Sequence, residues 1–203
     1  DRDNLLKASN LLDDAGWVLK NRQRVNVQTG KPLSFELLIA SGANDQWVLP
    51  FKKNLARLGV TMNIRQVDMA QLTNRKRSRD YDMMQTLWAA QPWPSSDLQI
   101  SWASGYIDSS YNAPGVKSPV IDALIAKIVA AQGDKNKLLP LGRALDRVLT
   151  WNYYMLPMWY MGEDRVARWD KFSLPAVRPV YTLGFDTWWY DVNKAAKLPA
   201  ERR

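Results

Sequence analysis

The chain has 203 residues, of which 46% are hydrophobic and 24% are charged, as is usual for a globular protein. No apolar run approaches the roughly 20 residues that span a bilayer, which argues against an integral membrane protein. Cys and His are both absent, which excludes disulfides, thiolate nucleophiles, Ser-His-Asp triads and imidazole metal sites. We expect no metal and no cofactor.

Two features of the composition are unusual. The formal net charge is +8 and the pI is near 9.7, which permits attraction to nucleic acid or anionic lipid. Ten Trp and eight Tyr exceed the four Phe, and these amphipathic rings favour clefts and interfaces. The chain begins at Asp1 without Met, so we expect a piece of a longer protein whose targeting segment lies elsewhere.

The first half of the chain alternates helices with strands. The periodicity predicts, in order, a helix over 5–15, a polar segment over 21–31, a strand over 33–39, a helix over 47–58, a strand over 60–65, a basic helix over 71–79 and a strand over 81–88. Asp3 or Asn4 is expected to cap the first helix, and Gly16 to end it. Two strands joined by one helix predict a parallel βαβ unit and an α/β fold.

The second half begins with an irregular stretch. The sequence of this half predicts, in order, an irregular segment over 89–115 with one short helix near 97–102, helices over 121–128 and 138–149, an edge strand over 156–160 and two further strands within 163–203. Ser118 and Pro119 mark the start of the first long helix. Residues 163–203 lack the periodicity of an independent core, so we expect them to complete another domain.

Catalysis finds little support in the residues. The carboxylates that lie close in sequence, such as Asp13–Asp14 and Glu163–Asp164, are typical of solvated charges or caps. No phosphate-binding glycine motif or nucleophile elbow is present. An enzyme domain that acts through carboxylates is the weakest of three interpretations.

A compact basic cluster supports a second interpretation, a module that binds nucleic acid or another acidic partner. Its members are Arg75, Lys76, Arg77 and Arg79. Nearby Trp88 and Trp93 could stack bases, but no aromatic residue interrupts the cluster itself. A solvated basic helix face explains the same pattern.

The aromatic loop that follows the strand over 81–88 is the most informative segment. In open α/β sheets, ligands bind outside the carboxyl ends of the strands. Aromatic walls and hydrogen-bonding groups together predict a ligand site formed by Trp88, Gln91, Trp93, Asp97, Tyr111 and Asn112, with Trp102 and Tyr106 as further walls. The alternative is that each Trp only packs against the core or an interface.

Several segments together resemble one known family. They are Leu11–Trp17, Gly30–Leu33, Leu55–Val60, Arg79–Met83, Tyr111–Asn112, Val120–Ile125 and Leu156–Trp159. In this order they are similar to the extracellular solute-binding proteins of the peptide/nickel class, family 5, which feed ABC importers. The loop rich in Trp and Pro is most similar to an oligopeptide-binding subgroup.

The resemblance implies a fold and a function. It implies a lobe like those of type II periplasmic binding proteins, with a mixed sheet flanked by helices. Residues 1–162 would form the C-terminal ligand-binding lobe, and residues 163–203 would return to the missing N-terminal lobe. The protein would be periplasmic and non-enzymatic, and its partners would be a peptide or modified peptide and a membrane permease, with no nucleic acid.

The resemblance also raises a question about the ligand's amino end. Members that bind peptides have Trp-x-x-Asp in this loop, and the Asp pairs with the α-ammonium of the peptide. Here the pattern is Trp88-Ala-Ala-Gln91, and Gln91 carries no charge. Asp97 is a substitute anchor, and the alternative is a ligand whose amino end is blocked or differently placed.

Overall fold

The computed structural model describes residues 2–40, 45–88, 93–179 and 182–202. The chain divides into two compact units, Asp1–Leu156 and Pro157–Arg203. The first unit contains α1 (Arg2–Asp14), β1 (Trp17–Lys20), β2 (Gln23–Asn26), β3 (Ser34–Ala40), α2 (Asp45–Arg57), β4 (Thr61–Val67), α3 (Met69–Ser78), β5 (Met83–Met84), α4 (Leu98–Trp102), a 3-10 turn (Ser104–Tyr106), α5 (Pro119–Ala130) and α6 (Lys135–Trp151). In the part of the chain that the structure describes, no helix has the length and apolarity needed to cross a bilayer.

A parallel three-stranded sheet forms the centre of the first unit. Its strand order is β4-β3-β5, and β3 pairs with β4 from Ser34↔Thr61 to Ala40↔Val67. Strand β3 begins with alternating apolar and polar residues and ends in a continuous apolar run. Leu38 and Ile39 in this run are fully buried. Helix α2 packs on this sheet through Val48. The predicted parallel βαβ unit is confirmed.

A second core cluster lies among α4, α5 and α6. Helix α5 buries one face at three- and four-residue spacing, and α6 contributes Leu138 and Leu145. The fully or nearly fully buried α5 residues are Ile121, Ile125 and Ile128. Trp102, at the end of α4, belongs to the same cluster and is 4% exposed.

The polar segment predicted over 21–31 contains an antiparallel strand, which the periodicity did not predict. Strands β1 and β2 form a hairpin whose two turn residues, Asn21 and Arg22, both have positive φ, 50° and 65°. This is the turn conformation that matches the twist of a two-residue hairpin. An Arg at such a position is uncommon, so the sequence carried a weak hairpin signal.

Three other predictions were wrong in detail. Helix α1 already includes Asp3 and Asn4, so neither of them caps it. The strand predicted over 81–88 pairs with β3 only at Met83 and Met84, which lie opposite Leu37 and Leu38. No strand is assigned to the described residues 156–160, since no described strand pairs with them.

Arg24 is a buried cation at the junction of α1, the hairpin and the end of α2, and it is 1% exposed. Its Nε donates to the Leu58 carbonyl at 2.9 Å, and Nη1 donates to the Trp17 carbonyl at 2.9 Å. The Asp13 carboxylate and both oxygens of Ser9 accept its remaining N–H groups. A buried charge is tolerated only when it is paired in this way.

The second unit contains β6 (Phe172–Ser173), β7 (Trp189–Tyr190), α7 (Val192–Ala195) and 3-10 turns at Phe185–Thr187 and Ala200–Arg202. Strands β6 and β7 pair antiparallel. A hydrogen bond from the Ser173 hydroxyl and the backbone N–H of Lys194 lower the pKa of Asp191, which caps α7. The predicted return of residues 163–203 to another lobe stays a prediction.

Candidate ligand-binding loop

The candidate loop begins where β5 ends, at the carboxyl edge of the parallel sheet. Trp88 stacks on Trp102 with ring centroids 4.8 Å apart and an interplanar angle of 12°. Trp102 lies in the core, whereas Trp88 is only half-buried and packs against that core from outside. Trp88 thus has one ring face on Trp102 and is still partly accessible.

Gln91 lies outside the described residues, as do residues 89, 90 and 92. The described chain resumes at Trp93 and Pro94, which contact the hairpin of α5 and α6. Lys135 Nζ lies 5.2 Å from the centre of the Trp93 ring, and Gln132 Nε2 donates to the Pro94 carbonyl at 3.2 Å. Trp93 remains 42% exposed. A cation over an indole face is a favourable contact.

Pro94 lies close to helix α6 because position 142 is a glycine. A Cβ on Gly142 would lie only 2.6 Å from Cγ of Pro94. Real side chains do not tolerate such a distance, so Gly142 makes the contact between loop and helix possible.

Asp97 occupies the N-cap position of α4, but its side chain makes no capping hydrogen bond. Its carboxylate is exposed. The end of α4 is fixed elsewhere, because Asp122 Oδ1 accepts the Ser104 N–H at 2.8 Å and Ser104 Oγ accepts the Ser118 N–H at 3.1 Å. Asp97 is therefore not required to hold its own helix.

Tyr111 and Asn112 are neighbours with opposite exposure. Tyr111 is 67% exposed, whereas Asn112 is fully buried. The Asn112 Oδ1 accepts the Val116 N–H at 2.9 Å, and Nδ2 donates to the carbonyls of Val116 at 3.1 Å and Ala103 at 3.5 Å. The Asn112 side chain closes the loop, so the predicted ligand contact by this amide is not favoured by the geometry.

Two residues that follow α3 bond to the backbone of the loop that contains Asn112. Tyr81 Oη donates to the Ala113 carbonyl at 2.6 Å, and Arg79 Nη2 donates to the Asn112 carbonyl at 3.4 Å. Partial burial raises the pKa of Tyr81, and the charge of Arg79 opposes this effect. Residue-by-residue reasoning missed both roles, although Arg79–Met83 was among the segments that carried the resemblance.

The basic cluster is partly used inside the fold. Arg75 Nη2 lies 2.8 Å from Glu36 Oε1, and its Nε lies 2.9 Å from Asp80 Oδ2. Desolvation opposes the charge of Arg75, but these hydrogen bonds outweigh it and raise its pKa. Arg79 is held by the loop. Because two of its four cations are committed in this way, the cluster is a poorer nucleic-acid surface than its sequence indicates.

The contacts divide the predicted site residues into groups. Trp88 and Asn112 are connected through Trp102 and the adjacent Ala103, whereas Trp93 lies beside Lys135 at the start of α6. Cavities of about 450 Å³ on α5 and α6 and about 300 Å³ beside β4 are lined by other residues. Among the described residues, no group of acidic side chains is arranged to hold a metal ion.

The first unit is an α/β lobe with a parallel sheet, and Trp88 lies in the segment that follows strand β5. The chain shares its fold with the oligopeptide-binding protein AppA from Bacillus subtilis, solved in complex with a nonapeptide. The TM-score is 0.63 at 19% identity, over 73% of this chain and 30% of that one.

The model of the family "Bacterial extracellular solute-binding proteins, family 5 Middle" matches residues 1–110. The chain belongs to this family, as the resemblance predicted. Uncharacterized protein YejA of Escherichia coli K12 is 74% identical over 200 residues, which are 98% of this chain and 33% of that protein. A protein of Agrobacterium fabrum named probable peptide-binding protein YejA is 39% identical over 191 residues, 93% of this chain and 31% of that protein.

The chain thus spans about one third of the length of the curated relatives it matches. Membership of a solute-binding family points to a binding protein rather than an enzyme.

Proposed function

We propose that the chain is part of the substrate-binding component of an ABC importer that captures oligopeptides or modified peptides between two lobes. It acts in the periplasm and delivers its ligand to a membrane permease. Membership of family 5 supports this function, as does the relative named a probable peptide-binding protein. The shared fold with a nonapeptide-bound oligopeptide-binding protein is consistent with it.

The observation that carries the proposal is the aromatic loop at the carboxyl end of β5. Trp88 stacks on Trp102 through one ring face and is partly exposed to solvent. Trp93 and Tyr111 are also exposed aromatic residues. Rings fixed by neighbours offer apolar contact area to side chains of a ligand at little entropic cost. In open α/β sheets, this edge is where ligands bind.

Within this site we assign the aromatic walls to Trp88, Trp93 and Tyr111. Gln91 and Asp97 provide hydrogen bonds near the ligand's amino end, and Asn112 shapes the loop through its buried amide. Asp97 has an exposed carboxylate that its own helix does not use. The ligand is therefore a peptide whose α-ammonium pairs with Asp97, or one whose amino end is blocked or differently placed.

Gln91→Asp tests this assignment in the full-length protein. A carboxylate at this position should favour peptides with a free α-ammonium by about 1–3 kcal/mol if the charge pair is desolvated. Calorimetric titration with matched free and N-acetylated peptides measures the change in selectivity. Equal selectivity in the variant and the wild type would remove Gln91 from the site.

The salt dependence of binding separates this function from the basic-module alternative. Binding dominated by phosphate contacts weakens steeply between low and moderate salt. Peptide binding between aromatic walls should change little. A full-length protein that binds nucleic acid with a steep salt dependence, and no peptide, would overturn the proposal.

A further inference from the structure

Arg79 and Tyr81 lie on one side of the loop that carries Tyr111. Their side chains donate to two consecutive carbonyl groups, those of Asn112 and Ala113, directly after Tyr111. From the other side, the buried amide of Asn112 pairs with Val116. The backbone that carries an exposed aromatic ring is thus fixed from both sides.

The backbone of Arg79 adds a second observation. Helix α3 ends with Arg79 in the left-handed region, at φ 54° and ψ 33°. The N–H of Arg79 bonds to the Lys76 carbonyl and that of Asp80 to the Arg75 carbonyl, a helix ending that normally uses glycine. A residue with a side chain is strained in this conformation. The strain is compensated if the side chain makes contacts that glycine cannot make.

Those contacts reach three parts of the loop. Besides the Asn112 carbonyl, the Arg79 guanidinium approaches Asp108 at 4.0 Å. Gly115, with φ +66°, is a neighbour of the Arg79 side chain, since a Cβ there would be in ordinary contact with Arg79 Nε at 3.4 Å. The Arg79 side chain thus also packs beside the loop at Gly115.

We infer that Arg79 and Tyr81 form a clamp that positions Tyr111 for ligand binding, an inference that rests on the proposed function. Neither residue needs to touch the ligand. The clamp keeps the loop over 108–116 in its binding-competent conformation before the ligand arrives. If only one tenth of the molecules hold that conformation, the apparent Kd rises about tenfold.

Arg79→Gly in the full-length protein separates the clamp from general stability. Glycine relieves the strained backbone and removes the guanidinium, so the melting temperature should not fall appreciably. Amide hydrogen exchange over 109–116 should become about tenfold faster, because the loop opens more often. The association rate constant for peptide should fall about tenfold with an unchanged dissociation rate constant, since only the competent population changes.

Tyr81→Phe is the second variant and removes a single hydroxyl donor. It should shift amide exchange and the association rate constant in the same direction. Arg77→Gln is the matched charge control, because Arg77 is an exposed member of the same basic cluster. Tyr153→Phe is the matched hydroxyl control, because Tyr153 is 70% exposed. Both controls should behave like the wild type.

Each of the following results would overturn the clamp or its role in binding. Unchanged loop exchange in both clamp variants would show that the contacts do not hold the loop. A change confined to the dissociation rate constant would show direct ligand contact instead of positioning. A wild type that binds no peptide would overturn the proposed function and the clamp's role in binding, whereas normal peptide binding with unaffected clamp variants would overturn only the clamp.

Discussion

Trp88 and Trp102 stack on each other, but their different burial gives them different roles. Trp102 is 4% exposed and belongs to the core of α5 and α6, whereas Trp88 covers it from the side of the loop. The sequence predicted both as walls of a site. It could not separate them, because the two tryptophans have the same side chain and only the packing of α4 decides which one is buried.

Replacing each tryptophan by alanine should have different consequences. Trp102→Ala should lower the free energy of unfolding by about 3–5 kcal/mol, the range for truncating a buried aromatic residue. Trp88→Ala should cost about 0.5–1.5 kcal/mol from the lost ring pair, together with some lost apolar burial. In the full-length protein, Trp88→Ala should also weaken peptide binding by about 2–4 kcal/mol, as expected of an aromatic anchor.

Denaturant unfolding and calorimetric titration measure the two effects separately. Trp151→Ala serves as a control, because Trp151 is 69% exposed at the end of α6. If Trp88→Ala destabilised the protein as much as Trp102→Ala and left peptide affinity unchanged, Trp88 would be a core residue only.

The hydrogen-bond partners of two side chains could not be predicted from residue type. The sequence predicts Asn112 as a hydrogen-bonding group for a ligand, whereas in the structure its side chain bonds to the backbone of Val116 and Ala103. Arg79 was interpreted as part of a solvated basic cluster, yet it bonds to a carbonyl 33 positions further along the chain. Such partners depend on the tertiary fold, and no local pattern encodes them.

At the scale of elements, predictions succeeded where a regular apolar pattern is long. The parallel strands β3 and β4 and the helices α5 and α6 were predicted from their periodicity. The hairpin of β1 and β2 was missed because its four-residue strands are mostly polar or exposed. The strand predicted over 156–160 has an apolar pattern but no described partner, and a strand exists only through its ladder.

The contact between the loop and α6 gives a prediction at this scale. A glycine-to-alanine change within an exposed helix usually stabilises it by about 1 kcal/mol. Gly142→Ala should not show this gain, because its Cβ would lie 2.6 Å from Cγ of Pro94. The same change in a Pro94→Ala background should show the gain, since the obstructing ring atoms are gone.

Thermal unfolding of the four proteins in this double-mutant cycle gives the coupling energy between the two positions. A wild-type background that gains the full stabilisation from Gly142→Ala would show that Pro94 does not lie against α6 at Gly142.

At the scale of the whole molecule, the chain spans about one third of its curated relatives. A two-lobed binding protein takes part of its ligand contacts from each lobe, so a single lobe leaves one side of the ligand in water. The isolated chain should therefore bind peptide weakly or not at all.

Fluorescence titration of the ten Trp with mixed peptides tests this expectation, with the full-length protein as the reference. Micromolar or tighter quenching of the isolated chain would show that residues 1–203 already contain a complete site.

The buried Arg24 has a consequence for how the first unit assembles. Its donors are satisfied by Ser9, Trp17 and Leu58, which belong to three separate segments of the chain. If any one segment is out of place, a buried cation keeps an unpaired N–H group, at a cost of several kcal/mol. Partly assembled forms are therefore disfavoured. The Arg24 guanidinium couples the docking of α1, the hairpin and the end of α2, because all of its N–H groups are paired only when the three segments are in place.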